Sequence, residues 1–153
     1  MVPVACARDY RPERVGTSLH GAMPRPVQIL VVDDNLPLRL MVAQALEEHG
    51  YVTVAAESGE AALEAIGYQP PDLCVVDYFM PGMSGAELVR ALRGSHDDRL
   101  RRVKVIGLTG YEGGDRELLR AGADLVLRKP WNEAALLAAV GRLLERPVAT
   151  AAP

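Results

Sequence analysis

Three acids, one hydroxyl and one amine carry the chemistry that this sequence can do: Asp33, Asp34, Asp77, Thr109 and Lys129. Each follows or closes a short, mainly apolar run: 27–32 before Asp33-Asp34, 73–76 before Asp77, 103–108 before Thr109, and 124–128 before Lys129. Singly, each has an ordinary structural use, the acids as helix caps or turn formers, Thr109 as a strand-end hydroxyl, Lys129 as a solvated charge. Together they have another. Parallel strands all end on one edge of their sheet, where open α/β sheets bind ligands. Three carboxylates gathered there repel, and without a partner one takes up a proton. A hard divalent cation removes that penalty, and Mg2+ (or Mn2+ in its place) favours a few carboxylates with water and a phosphate. Lys129 supplies a fixed positive charge and Thr109 a donor, both suited to a phosphoryl group. Asp77 is then the candidate nucleophile, whose in-line attack on phosphorus gives an aspartyl phosphate. The metal and Lys129 would stabilise charge on the equatorial oxygens.

The elements that must position these groups are legible in the pattern around them. Leu73-Cys74-Val75-Val76 is continuously apolar, as in a strand buried on both faces, and Pro81-Gly82 with Gly85 turns the chain at once into a helix over 86–92. Residues 27–32 read as the first strand. Asn35 or Asp34 caps the next helix, with Pro37 in its first turn and Leu38, Met41, Val42, Ala45 and Leu46 at helical spacing up to Gly50. A β-branched strand over 51–55 precedes a helix opened by Ser58-Gly59-Glu60, with Ala61, Ala62, Ala65 and Ile66 as its packing face and its end near Gly67. The stretch 94–102 reads as a charged loop. After the 103–108 strand come a Gly-rich loop over 111–114, a helix over 115–121, the last strand over 124–128, and a helix capped by Asn132 with Leu136, Leu137, Val140, Leu143 and Leu144 as its stripe, ended by Arg146-Pro147. Five strands alternating with five helices predict an α/β fold with a parallel sheet covered on both faces.

Composition sets bounds. At 153 residues, 49% hydrophobic and 24% charged, the chain is of one-domain size and ordinary globular composition. A formal net charge of −3 leaves no footprint for nucleic acid. No apolar run approaches membrane-spanning length, and the charged N-terminus lacks the apolar core of a secretory signal. Cys6 and Cys74, in a tail and a buried strand, suit reduced thiols and a cytoplasmic location rather than a disulfide. His20, His49 and His96 lack the spacing of zinc ligands. Residues 1–26, with four prolines and no periodicity, read as a disordered extension, 27–146 as the domain and 147–153 as a frayed tail.

The chain resembles the receiver domain of two-component response regulators, a family of chemotaxis-regulator-like domains. The likeness runs over about 27–146. It rests on Asp33-Asp34 after a strand, Asp77 before Met80-Pro81-Gly82-Met83-Ser84-Gly85, Thr109 and Lys129-Pro130, with Glu57-Ser58-Gly59-Glu60-Ala61-Ala62-Leu63 and Ala121-Gly122-Ala123-Asp124 between them. It implies a flavodoxin-like, doubly wound five-stranded sheet of order 2-1-3-4-5 with five helices. It implies that Asp77 accepts a phosphoryl group from a histidine kinase or a histidine phosphotransfer protein. It also implies that Asp34, Asp77 and the backbone carbonyl of Phe79 ligate Mg2+ with Asp33 helping through water, that Thr109 and Lys129 contact the phosphoryl oxygens, and that Lys129-Pro130 is cis. Such a domain is a switch rather than an enzyme with its own substrate. With no output domain expected after the last helix, it would act on an unidentified downstream protein, or form a homodimer, through the face from the 115–121 helix to the last helix.

The sequence also departs from the family pattern. The family couples its threonine to an aromatic ring on the last strand, and here that position is Val126. Output would then pass through the 111–114 loop instead. Phe79 and Tyr111 stand two residues beyond Asp77 and Thr109, where the family tunes phosphoryl lifetime; two rings there would hinder water, or else merely cover backbone. Trp131 follows Lys129-Pro130 and would pack beside the site. Two other readings compete with the switch: an interaction module indifferent to phosphorylation, and a receiver cut from a larger kinase or transcription factor. An aspartate-nucleophile phosphatase would need a second Asp at position 79, which is Phe.

Overall fold

The computed structural model describes residues 25–145. Of the expected extension over 1–26, residues 1–24 with Cys6 and His20 lie outside the described residues, as does the expected tail over 147–153; Arg25 is described and pairs with Asp72.

Five parallel strands form the sheet: β1 (Gln28–Val32), β2 (Val52–Ala56), β3 (Leu73–Asp77), β4 (Lys104–Thr109) and β5 (Leu125–Arg128), in the order β2-β1-β3-β4-β5. Adjacent residues of a strand point to opposite faces, so each apolar run feeds two cores. Leu30, Val32, Cys74 and Val76 pack on one face under α2 (Gly59–Tyr68), α3 (Gly85–Arg93) and α5 (Gly114–Ala121), through Ile66, Leu88, Leu92 and Leu118. Ile29, Val31, Leu73, Val75 and Ile106 pack on the other under α1 (Leu36–Glu47) and α6 (Glu133–Leu143), through Val42, Leu46, Leu136 and Val140. This is the doubly wound fold expected from the alternation of elements. Cys74 is a free thiol in the first of these cores, its pKa pushed up to about 12 by burial.

Helix starts follow the expected caps. The side chain of Asn35 accepts from Leu38 N, Ser58 from Ala61 N, and Asn132 from Ala135 N. Ser84 and Glu87 form a reciprocal capping box at the start of α3, holding the turn after Asp77.

Two expectations need correction. Among the described residues there are six helices, not five, because α4 (Asp98–Arg101) is one helical turn inside the stretch read as a charged loop. Asp97 caps it through Arg99 N, while Asp98 in its first turn and Arg99 and Arg101 in its last complement the helix dipole. A single turn carries too few residues to show periodicity. Met41, placed with the packing positions of α1, is instead half exposed, and Ala43 takes a buried place beside Val42, Ala45 and Leu46.

Candidate functional site

Strand ladders carry the site residues past the ends of their strands. Asp33 N donates to Ala56 O at 3.2 Å, Tyr78 N to Leu108 O at 2.8 Å and Lys129 N to Thr109 O at 2.8 Å. Each backbone at the carboxyl edge is therefore pinned to its neighbour before any side chain acts. Gly85 begins α3 directly against this edge: a Cβ there would collide with the carbonyl oxygen of Asp77. Gly85 N instead donates to Tyr78 O at 2.9 Å, closing the turn that follows the acid.

On this frame one oxygen each of Asp33, Asp34 and Asp77 lies within 4.8 Å of the others. Asp33 and Asp77 are buried, with 4% and 5% exposure, whereas Asp34 is open to solvent. Lys129 Nζ donates to Asp77 Oδ1 at 2.7 Å, and its peptide bond to Pro130 is cis. Asn35 N donates to Asp33 Oδ1 at 2.9 Å, and Arg39 reaches the Asp33 carbonyl at 2.7 Å.

The charges are not balanced. Burial pushes Asp33 from 3.8 up to about 6, further raised by Asp77 and Asp34 and opposed by the Asn35 N–H and Lys129. Burial also raises Asp77, against the hydrogen bond and charge of Lys129 and the backbone N–H of Phe79. Three carboxylates facing one ammonium leave excess negative charge, and the two buried ones, Asp33 and Asp77, are poorly screened by solvent. Three hard oxygen donors, two of them buried, fit a divalent cation of the Mg2+ kind.

Thr109 is 2% exposed and sits beside Lys129 through its backbone, with its hydroxyl turned to the next loop. Its Oγ1 accepts from Tyr111 N at 3.0 Å and donates to Tyr111 O at 3.3 Å. The Tyr111 ring is 62% exposed and stacks on Tyr78, with centroids 5.8 Å apart and planes 11° from parallel. The Phe79 ring is 75% exposed. Val126 of β5 pairs with Gly107 of β4 and packs, half buried, on the core under α5. Trp131 packs on the opposite core, partly buried.

The structure adds residues that the sequence did not point to. Tyr78, directly after Asp77, donates its hydroxyl to Glu117 on α5 at 2.8 Å. Arg128, directly before Lys129, donates to Asp115 Oδ2 at 2.6 Å. An aromatic after the strand-end acid was the available signal for Tyr78, but nothing local ties it to a glutamate 39 residues away.

Comparison with known proteins places the arrangement. The family model described as the response regulator receiver domain matches residues 29–141. The phosphate regulon transcriptional regulatory protein PhoB of Pseudomonas aeruginosa is 38% identical over 120 residues, covering 77% of this chain and 52% of that protein. The chain thus spans about half the length of the curated relatives it matches. Chemotaxis protein CheY4 of Vibrio cholerae superposes with a TM-score of 0.71 at 30% identity, covering 77% of this chain and 98% of the other. The signal receiver domain of a signal transduction histidine kinase from Syntrophus aciditrophicus gives 0.73 at 32% identity, covering 83% and 96%.

Proposed function

This chain belongs to the response regulator receiver domain family of two-component systems, and we propose that it works as a phosphorylation switch with Asp77 as acceptor. The observation that carries this reading is the acid cluster: a buried Asp77 held at 2.7 Å by Lys129, with oxygens of Asp33 and Asp34 within 4.8 Å. In the step, one Asp77 carboxylate oxygen forms a bond to phosphorus as the donor's bond to phosphorus breaks, and the electron pair leaves with the donor. A phosphohistidine on a histidine kinase or phosphotransfer protein is such a donor. Lys129, already on Asp77, follows the new charge onto the phosphoryl oxygens, and Thr109 donates its hydroxyl proton to one of them. Asp34, Asp77 and the Phe79 carbonyl, with Asp33 behind them, would hold Mg2+ or Mn2+. That ion would offset the charge gathered in the cleft.

The product stays on the protein, so the reading is of a signal rather than turnover of a small substrate. Phe79 and Tyr111 limit access of water to the acyl phosphate and set its lifetime. The net charge of −3 argues against nucleic-acid contact by these residues, and no helix among the described residues is long and apolar enough to cross a membrane. We assign the switch to the cytoplasm, where such kinases present their phosphohistidine. Its reader is a partner protein or a second copy on the face from α5 to α6.

The test is intact mass after incubation with acetyl phosphate and Mg2+. A single base-labile phosphoryl adduct is expected, lost with chelator and absent from Asp77→Ala. No adduct at saturating Mg2+ would move the reading to a module that binds its partner without phosphorylation.

A further inference from the structure

The amino edge of the sheet, opposite the acid cluster, gathers positive charge that the phosphorylation switch does not use. Two clefts open there and meet at Arg102 and Val103. One, of about 380 Å3, runs past Arg25, Asp72 and Arg99; the other, of about 430 Å3, runs past Arg93, Arg101, Lys104 and Asp124. Four of these arginines already have an acid. Arg25 holds Asp72 at 2.8 Å, Arg93 holds Asp124 at 2.9 Å, Arg99 holds Asp97 at 2.7 Å, and Arg101 pairs with Asp98. Among the described residues no carboxylate pairs with Arg102 or Lys104, and both side chains are exposed.

The backbone that presents these two cations is fixed. Arg102 N donates to Asp98 O at 3.2 Å at the end of α4, and Lys104 N donates to Asp72 O at 3.3 Å at the start of β4. Between them Val103 is buried and its carbonyl accepts from Arg93, so its two neighbours both face outward. Two uncompensated cations therefore stand on a rigid rim, in a chain whose net charge is −3. An anion is drawn to this edge against the charge of the whole.

The form of the edge narrows the anion. Guanidinium forks match a planar carboxylate with two parallel hydrogen bonds. The clefts are open and joined, which suits an extended run of residues better than one small molecule. A long polyanion such as duplex nucleic acid would also lay its phosphates over Asp72, Asp97, Asp98 and Asp124, whereas a short segment can set its carboxylates on the two unpaired cations alone. The chain's own ends are not that segment. Residues 1–24, which lead into Arg25 at the first cleft, hold three arginines and two acids, and residues 146–153 hold one arginine and no acid.

We propose that the amino edge is a docking groove for a short acidic segment of a partner protein, with Arg102 and Lys104 taking its carboxylates. This goes beyond the phosphorylation switch and makes no use of Asp77. It gives the domain a second partner surface, opposite the acceptor.

A fluorescein-labelled octaglutamate peptide, titrated with the full chain and followed by fluorescence anisotropy, tests this at an ionic strength of about 50 mM, where screening is weak. Binding is expected, and it should weaken as salt is raised. Arg102→Gln combined with Lys104→Gln should lower the affinity about tenfold, since two exposed ion pairs are lost. The melting temperature and the acetyl phosphate adduct should stay unchanged, because neither side chain holds the fold. Arg90→Gln combined with Arg116→Gln removes the same charge elsewhere, near Tyr78 and in the first turn of α5, and should leave the affinity little changed. No binding, or an equal loss in both double variants, would overturn the proposal and leave only attraction by net charge. Displacement by inorganic triphosphate at lower concentration than by unlabelled octaglutamate would overturn it in favour of a phosphate ligand. Tighter binding of an oligothymidylate of matching charge would overturn it in favour of nucleic acid. Self-association that is lost in the Arg102/Lys104 double variant would reassign the groove to a second copy of this chain.

Discussion

The two edges of the sheet handle their charges in opposite ways. At the amino edge one guanidinium satisfies a whole junction: Arg93 donates from Nε to the Gly122 carbonyl, from one terminal nitrogen to the carbonyls of Arg101 and Val103, and from the other to Asp124. Asp124 also accepts from Val105 N at 2.8 Å, on the same Oδ2 that takes the Arg93 bond. Nearby, Arg25 pairs with Asp72, and Arg99 with its own cap Asp97. At the carboxyl edge three carboxylates meet a single Lys129, and burial raises two of them above their ordinary range. One edge spends its charged groups on holding α3, α4 and β5 together. The other keeps them underpaired, which costs stability and leaves a site that an incoming cation and phosphoryl group would complete.

The largest separation between the edges should come from Asp77→Asn. Phosphoryl uptake is expected to disappear in intact mass, while circular dichroism shows the same fold and thermal stability is equal to or above that of the unsubstituted protein. Arg93→Ala should do the reverse, costing about 1–3 kcal/mol in urea unfolding, since it strands two part-buried carbonyls and Asp124 together. Uptake per folded molecule should stay unchanged. If Arg93→Ala abolished uptake in folded protein, the division of labour between the edges would be wrong.

Asp33 sharpens the comparison through pH. Its folded pKa of about 6 lies above its ordinary 3.8, so the folded state holds this proton more tightly than the unfolded chain does. The stabilising contribution is full below pH 3.8, falls as pH rises through the window to about 6, and is absent above it. In metal-free buffer Asp33→Asn should therefore gain up to about 2–3 kcal/mol at neutral pH, a gain that shrinks toward pH 4. Mg2+ should raise the melting temperature of the unsubstituted protein more than that of the variant. A pH-independent difference between the two would remove Asp33 from the uncompensated cluster. The smallest effect on stability is expected for Phe79→Asn, within about 0.5 kcal/mol because the ring is exposed. Loss of phosphate from the adduct, followed by mass over time, should nonetheless be faster. An unchanged rate would show that the ring does not limit access of water.

Much of this was legible in the chain because the signals are local. The apolar run 73–76 ended by Asp77, and the turn residues Pro81, Gly82 and Gly85, define the strand, its end and the following helix within a dozen residues. The convergence of Asp33, Asp34 and Asp77 follows once the strands are parallel. What escaped was either short or distant. The single turn of α4 lies below the length at which periodicity can register. Met41 falls on a helical repeat, yet the packing geometry buries Ala43 instead. The contacts Tyr78–Glu117, Arg128–Asp115 and Arg93–Asp124 join residues far apart in sequence, and each depends on how helices seat against the sheet. No spacing rule encodes that.

The central claim, that the underpaired edge is a phosphoryl acceptor with Asp77 as its nucleophile, is tested most directly by chemical trapping. Protein incubated with acetyl phosphate and Mg2+ is treated with borohydride, which reduces an aspartyl phosphate to homoserine, and its peptides are mapped by mass spectrometry. The account predicts homoserine at position 77 alone, with Asp33 and Asp34 unmodified. Homoserine at position 33 or 34, or none at 77 despite a phosphoryl adduct on the intact chain, would contradict it.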